Sequence, residues 1–158
     1  MKYQWSDYAK EHEALVDSWL DDEAVRQTGL DSGWDDFFEY WKNDSEMSLG
    51  ENYWCKIISH QGTPFAVMAL SVWKGEFLIM EYVVDPKMRG KGLGSSALRE
   101  LLDFGDCIVS TGIEQASAVI FPANKSSQKA FEKAGFYFLS ADPDGDAFNY
   151  SYKKRQDR

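Results

Sequence analysis

The sequence predicts an α+β fold, with a mixed, mostly antiparallel central sheet of about six to seven strands flanked by helices. Three observations predict it. Apolar residues in the first third recur at helical spacing. The middle holds apolar, β-rich runs separated by turn signals. The last third alternates strand and helix patterns before a final hairpin.

In the first third, which reads as helical, His12 to Leu20 places Ala14, Leu15, Trp19 and Leu20 near helical spacing. A second helix is expected from about Asp35 to Lys42, with Trp34, Phe37, Phe38 and Trp41 as its apolar stripe and Asp31 and Ser32 as candidate caps. Three strands follow: Tyr53 to Ser59, Pro64 to Trp73 with its proline at the first position, and Phe77 to Val84. The turns His60-Gln61-Gly62 and Lys74-Gly75-Glu76 make them an antiparallel meander.

A helix from about Leu93 to Phe104 turns Ala97, Leu98, Leu101 and Leu102 inward, and Ser117 to Phe121 is a short buried strand. A further helix, from about Ser126 to Ala134, stops at Gly135. Phe136 to Leu139 and Phe148 to Tyr152 form the hairpin, joined by the turn-rich Asp142 to Asp146. Segment 106–116 matches neither period.

The 158 residues suit one domain, with no linker or repeat. The net charge of −9 is unevenly spread. Residues 1–51 hold 14 Asp/Glu against 4 Lys/Arg, and residues 52–158 hold 12 against 13. Such a balance disfavours nucleic acid and anionic membrane surfaces as partners. It suits either a cationic substrate or a merely solvated acidic surface. No apolar run reaches membrane-spanning length, and the polar N-terminus carries no targeting signal, so a cytoplasmic location is expected. Cys55 and Cys107 sit in apolar stretches and are expected as buried thiols. His12 and His60 are isolated, so no metal site is expected.

The stretch that carries chemistry runs from Val83 to Ser95. An apolar strand ends at Asp85-Pro86, a basic glycine-rich loop follows, and a helix starts at once. Glycines let backbone N–H groups approach a ligand, and helix N-termini carry unpaired donors and partial positive charge. Together they make an anion site suited to a pyrophosphate. Lys87, Arg89 and Lys91 concentrate positive charge there. A Walker A motif fails, because the upstream glycine and the Gly-Lys-Ser/Thr are missing. Gly92-Leu93-Gly94-Ser95-Ser96-Ala97 meets the dinucleotide fingerprint only nominally, since the strand does not lead directly into it.

Arg89-Gly90-Lys91-Gly92-Leu93-Gly94, after a strand ending in Val-x-Pro, resembles the Arg/Gln-x-x-Gly-x-Gly/Ala motif of the GNAT superfamily of acetyl-CoA-dependent N-acetyltransferases. A second block, from Asn124 to Phe136, resembles that superfamily's later motif, in which an Asn opens a helix that ends in Lys-x-Gly-Phe. The resemblance spans about residues 53–153 and is specific in 77–99 and 117–136. It implies a GNAT-like acyltransferase fold and acetyl-CoA as co-substrate, with no metal. The pyrophosphate would lie on Arg89, Gly90, Lys91, Gly92, Leu93, Gly94 and Ser95. Val83 and Val84 would hold the pantetheine arm through their backbone, and Asn124 would also touch the coenzyme. It divides the chain into a helical acceptor-side segment, 1–51, and a sheet and coenzyme core, 52–153.

The sequence departs from the family at Phe131, where a Tyr often protonates the departing thiolate. A Cys-like thiol, with a pKa of about 8.5, is a fair leaving group unaided. Ser127, one turn earlier on the same face, is the candidate donor or water holder; otherwise it is a helix-start residue. An acceptor amine with a pKa of about 10.4 costs about 4.6 kcal/mol to deprotonate at pH 7. Glu81, inside an apolar strand, is the candidate base for that proton, with Glu76 as fallback.

By the same resemblance the first helices wall the acceptor, and here they are acidic and aromatic. Trp34, Asp35 and Trp73 are the candidate acceptor contacts. The stretch Trp19–Val25 (WLDDEAV) resembles aminoglycoside 6′-acetyltransferases. The expected partners are acetyl-CoA and an amine acceptor, the latter an amino sugar, a polyamine or a peptide N-terminus, with the protein a monomer or homodimer. A non-catalytic acyl-CoA-binding module and, further off, a nucleotide-binding oxidoreductase are the alternatives.

Overall fold

The computed structural model describes residues 1–20, 33–35, 39, 53–73 (the Trp73 side chain excepted) and 76–155. Seven strands form one sheet: β1 (Gln4–Asp7), β2 (Tyr53–His60), β3 (Thr63–Trp73), β4 (Glu76–Val84), β5 (Gln115–Ile120), β6 (Tyr137–Ala141) and β7 (Phe148–Lys153). Their order is β1-β2-β3-β4-β5-β7-β6. Every pair is antiparallel except β4 with β5. The named helices are α1 (Glu13–Leu20), α2 (Leu93–Asp103), α3 (Gly105–Ile108) and α4 (Lys125–Lys133). The mixed α+β architecture is the one expected.

The meander, the two longer C-terminal helices and the hairpin lie within a few residues of expectation. The helical reading of the first third is corrected at its start. Residues 4–7 pair with β2, from Gln4↔Ser59 to Asp7↔Lys56. Tyr3 is buried and Trp5 half-buried, while Gln4 and Ser6 are exposed, a strand alternation too short to announce itself. The free edge of β2 is what selects it. The helix expected from His12 starts at Glu13, after a 3₁₀ turn over Lys10–His12. Of the second expected helix, Trp34, Asp35 and Glu39 are helical; its other residues and the caps Asp31 and Ser32 lie outside the described residues.

Segment 106–116 resolves into the end of α3, an irregular connection and the first two residues of β5, and it buries Ile108, Val109 and Ile113. A Cβ on Gly105 would stand 2.7 Å from the Thr111 carbonyl oxygen, so only glycine permits this tight return. The two thiols are free, but Cys107 is exposed rather than buried. A one-turn helix that turns Gly105 and Ile108 inward leaves Cys107 facing out.

The core lies on both sides of the sheet. Ile58, Met68, Leu70 and Ala118 pack with Ala97, Leu98 and Leu101 of α2 and Phe131 of α4. Val16, Trp19, Leu20 and Trp34 pack with Ile57, Val67, Ala69 and Val83. Buried Glu100 of α2 ties the chain start to the first of these groups. It accepts from the Lys2 N–H, from the Tyr3 N–H at 3.2 Å and from the Trp5 indole at 2.7 Å.

Two irregularities in β4 position the site. Ala69 pairs with Glu81 and Leu70 with Ile79, so Met80 bulges. The pairing of β4 with β5 stops at Ile79↔Ala118. Beyond that point the two parallel strands part, and residues 80–84 border a gap.

Candidate active site

The loop after β4 is built to present backbone donors. Asp85 accepts from the Lys87 N–H at 3.0 Å and shapes the 3₁₀ turn Pro86–Met88. Gly90 and Gly92 then take φ values of 78° and 79°, which side chains rarely adopt. Gly92 is the N-cap of α2, so the N–H groups at the start of that helix have no intrahelical partner. A Cβ on Gly94 would lie 3.6 Å from Val84 Cγ2 and 3.9 Å from Ala130 Cβ, so its bareness keeps this junction of β4, α2 and α4 open. Tyr82 spans the same junction by donating from its hydroxyl to the Gly94 carbonyl oxygen at 3.0 Å.

The opposite wall is α4. Asn124 caps it by accepting from the Ser127 N–H at 3.1 Å. Phe131 is buried and meets Phe136 and Tyr82 edge-on, with ring centroids 4.9 and 6.4 Å away.

Between these walls lies a cavity of about 280 Å³. It is lined by Glu81, Val83, Val84, Arg89, Gly90, Gly92, Leu93, Gly94, Ser95, Asn124, Ser127 and Phe131. Two stretches separated in sequence are thus brought together as expected. Lys91 is the exception among the loop residues: it is exposed, with Nζ 3.9 Å from Met88 Sδ. A smaller cavity adjoins at the parting of β4 and β5 and shares Glu81, Tyr82, Asn124, Ser127 and Phe131 with the first.

Sequence reasoning missed Tyr82, Met88, Ser126, Lys129, Ala130 and Lys133 on the larger cavity's wall. The α4 residues among them fall at three- and four-residue spacing, a face that the capping Asn124 made legible.

Glu81 is half-buried and lines both cavities. Burial pushes its carboxyl up to about 7, against a smaller opposing pull from a backbone hydrogen bond at Tyr82. Burial also drives the Tyr82 hydroxyl far above its usual range.

The expected acceptor contacts stand elsewhere. Trp34 is fully buried among Val16, Trp19 and Val83, and lines neither cavity. Asp35 also lines neither: its carboxylate accepts from the Tyr8 hydroxyl and from Lys10 Nζ at 2.9 Å. Burial works to raise its pKa, but those two bonds outweigh it and hold the carboxyl below its usual value. Trp73 ends β3 opposite Glu76, the fallback base, which lines neither cavity. Among the described residues no group of His, Cys, Asp or Glu is arranged to hold a metal.

The site therefore offers an anion-binding end, a channel along an open strand and a carboxyl that titrates near neutrality.

Comparison with known proteins bears on this arrangement. The family model described as "Acetyltransferase (GNAT) domain" matches residues 6–137. No curated protein matches the sequence. Among solved structures, AAC(6′)-Ib with paromomycin and acetyl-CoA is 19% identical, with a TM-score of 0.69 over 98% of this chain and 94% of that one. A chimera of the spermidine N-acetyltransferase SpeG from Vibrio cholerae and hSSAT is 10% identical, with a TM-score of 0.75 over 97% and 96%. The ribosomal-protein-S18-alanine N-acetyltransferase of Escherichia coli is 16% identical, with a TM-score of 0.65 over 96% and 93%. At these identities the structures share a fold with this chain, and it is the family match over most of its length that assigns it: the chain belongs to the GNAT family of acetyltransferases.

Proposed function

We propose that this protein transfers the acetyl group of acetyl-CoA directly, within a ternary complex, to a primary amine. The acceptor is a cationic small molecule of the aminoglycoside or polyamine kind, or a peptide N-terminus. One observation carries the reading: Glu81 lines the cavity where β4 and β5 part, and its carboxyl titrates near neutrality. A base matched to the working pH is what an ammonium acceptor requires.

In the transfer, the amine nitrogen bonds to the thioester carbonyl carbon and the carbon–sulfur bond breaks. The amine proton passes to Glu81, directly or through water. The sulfur leaves as a thiolate, protonated by water or by the Ser127 hydroxyl, because Phe131 has no proton to give. The N–H groups at the start of α2 hold the pyrophosphate, and the backbone of Val83 and Val84 holds the pantetheine arm.

The acidic first third, with 14 carboxylates in residues 1–51, supports a cationic acceptor. The names of structurally similar proteins span an aminoglycoside, spermidine and a protein alanine, so the fold is compatible with each class. The test is thiol release from acetyl-CoA across a panel of aminoglycosides, polyamines and peptides. Turnover with one class supports the reading and names the acceptor. Tight coenzyme binding without turnover on any amine would make the protein an acyl-CoA-binding module instead.

A further inference from the structure

We infer that Val119 and Phe121, on the β5 side of the smaller cavity, select the acceptor: they favour a primary amine that carries one positive charge and an apolar group close to it, over a polycation. The inference deepens the proposed acetyl transfer and rests on that reading.

The placement follows from register. Ala118 and Ile120 pack with Leu98 of α2 and Phe131 of α4. Strand alternation therefore turns Val119 to the opposite face of the sheet. Glu81 pairs with Ala69, which packs with Val16 and Trp19 of α1 on that opposite face. Directly paired residues of neighbouring strands project to one side. The Glu81 carboxyl and Val119 thus share a face across the gap where β4 and β5 part. Both line the smaller cavity, together with Phe121 just past the end of β5 and the bulged Met80 on β4.

Val119 and Phe121 are 61% and 41% exposed. The same face of β5 begins polar, with Gln115 and Ser117. Its neighbours on β7 are polar too: Lys153 beside Gln115, Ser151 beside Ser117 and Asn149 beside Val119. A solvated sheet face would stay polar to its end. This one turns apolar where β5 leaves β4, next to the candidate base.

Charge points the same way. Among the described residues Glu81 is the only carboxylate that lines either cavity. Asp35 is held by Tyr8 and Lys10 and lines neither. A polyamine or an amino sugar brings several ammonium groups, and each one drawn against Met80, Val119 or Phe121 loses water without gaining a partner. A monoamine brings one charge, which Glu81 matches. Its apolar group covers Val119 and Phe121, and apolar surroundings favour the neutral amine, the form that attacks the thioester.

The experiment measures kcat/KM for acetyl transfer to phenethylamine, ethylamine, spermidine, paromomycin and two tripeptides that differ only in an N-terminal phenylalanine or glycine. The proteins are wild type, Val119→Thr, Phe121→Ala and the double variant. Val119→Thr keeps the side-chain shape and the strand preference, and the melting shift with acetyl-CoA checks that each variant is folded with its coenzyme site formed. Wild type should prefer phenethylamine over ethylamine, or the phenylalanine peptide over the glycine peptide, by at least about tenfold, and should prefer the same apolar amine over both polycations. The pair that shows the preference tells whether the acceptor is a free small amine or a peptide N-terminus. Each single variant should lose part of the preference and the double variant most of it. Spermidine or paromomycin as the best acceptor would overturn the inference and leave acetyl transfer standing. An apolar preference that survives in the double variant would also overturn it, by taking the selection away from these two residues. Coenzyme binding with no turnover on any amine would overturn the acetyl-transfer reading, and the inference with it.

Discussion

The Tyr82 hydroxyl donates to the Gly94 carbonyl oxygen at 3.0 Å and so fastens β4 to the first turn of α2. Two elements that line the larger cavity are therefore tied to each other by one part-buried bond. Tyr82→Phe removes it and leaves the ring contact with Phe131 intact. Stability should fall by about 1 kcal/mol, and acetyl-CoA affinity by a few fold as the N–H groups lose their aim. Calorimetric titration and denaturant unfolding test this. Unchanged affinity would reduce the bond to a packing detail.

Glycine serves two loop positions for two reasons. Gly92 has φ of 79° with open space around it, so a side chain there is strained rather than crowded. Gly94 has an ordinary helical backbone but stands between Val84, Ala130 and Tyr82. Gly92→Val and Gly94→Val should each abolish coenzyme binding, whereas Gly94→Ala should keep the fold. With ligand at a hundredfold excess over its dissociation constant, wild type should gain about 2.7 kcal/mol. Thermal melts with and without acetyl-CoA read the difference, and a normal shift in both valine variants would move the ligand elsewhere.

Glu81 makes opposite predictions for activity and stability. As a base it works when ionised, so turnover should rise as pH passes through about 7. Its folded pKa lies above the unfolded value, so its favourable contribution holds at low pH and is lost as pH rises through about 7. Glu81→Gln should therefore cut turnover more than coenzyme affinity, with a loss that shrinks at high pH where free amine is abundant. The same variant should gain stability over wild type between about pH 5 and about pH 8. Unchanged turnover at neutral pH would pass the proton to Glu76 or to solvent.

Phe131 and Ser127 separate the ways a thiolate can leave. Both line the two cavities, and Ser127 keeps its hydroxyl free of any cap, since its backbone N–H makes the bond to Asn124. Phe131→Tyr should leave turnover level or raise it, by no more than the roughly 10²–10⁴-fold that acid catalysis supplies. Activity lost in Ser127→Ala and restored by adding Phe131→Tyr would identify the serine as donor. Full activity in Ser127→Ala would remove it from the chemistry.

Glu100 predicts a stability effect far from the site. Glu100→Leu leaves three N–H donors from Lys2, Tyr3 and Trp5 facing an apolar side chain. Of the three only the Tyr3 N–H is buried, and an unpaired buried donor costs about 1–3 kcal/mol, so a loss of about that size is expected by denaturant unfolding. Glu100→Gln, which keeps an acceptor, should cost less. Equal and small losses would mean that residues 2–5 find other partners.

What the sequence determined by itself is local. The glycine-rich loop, the capping Asn124, the apolar faces of α2 and α4 and the three meander strands were legible because their causes lie within a few residues: spacing, turn chemistry and positive φ. The loop and α4 were expected to share a site, and their residues line one cavity. Tertiary structure decided the rest, because those properties depend on partners far along the chain. β1 became a strand only on meeting the edge of β2. Asp35 read as an acceptor contact until Tyr8 and Lys10, from 27 and 25 residues away, took its carboxylate. Trp34 read as an acceptor wall until burial claimed its ring. Glu81 was visible as an acid in an apolar strand, but only its burial in the folded chain sets that acid near neutrality.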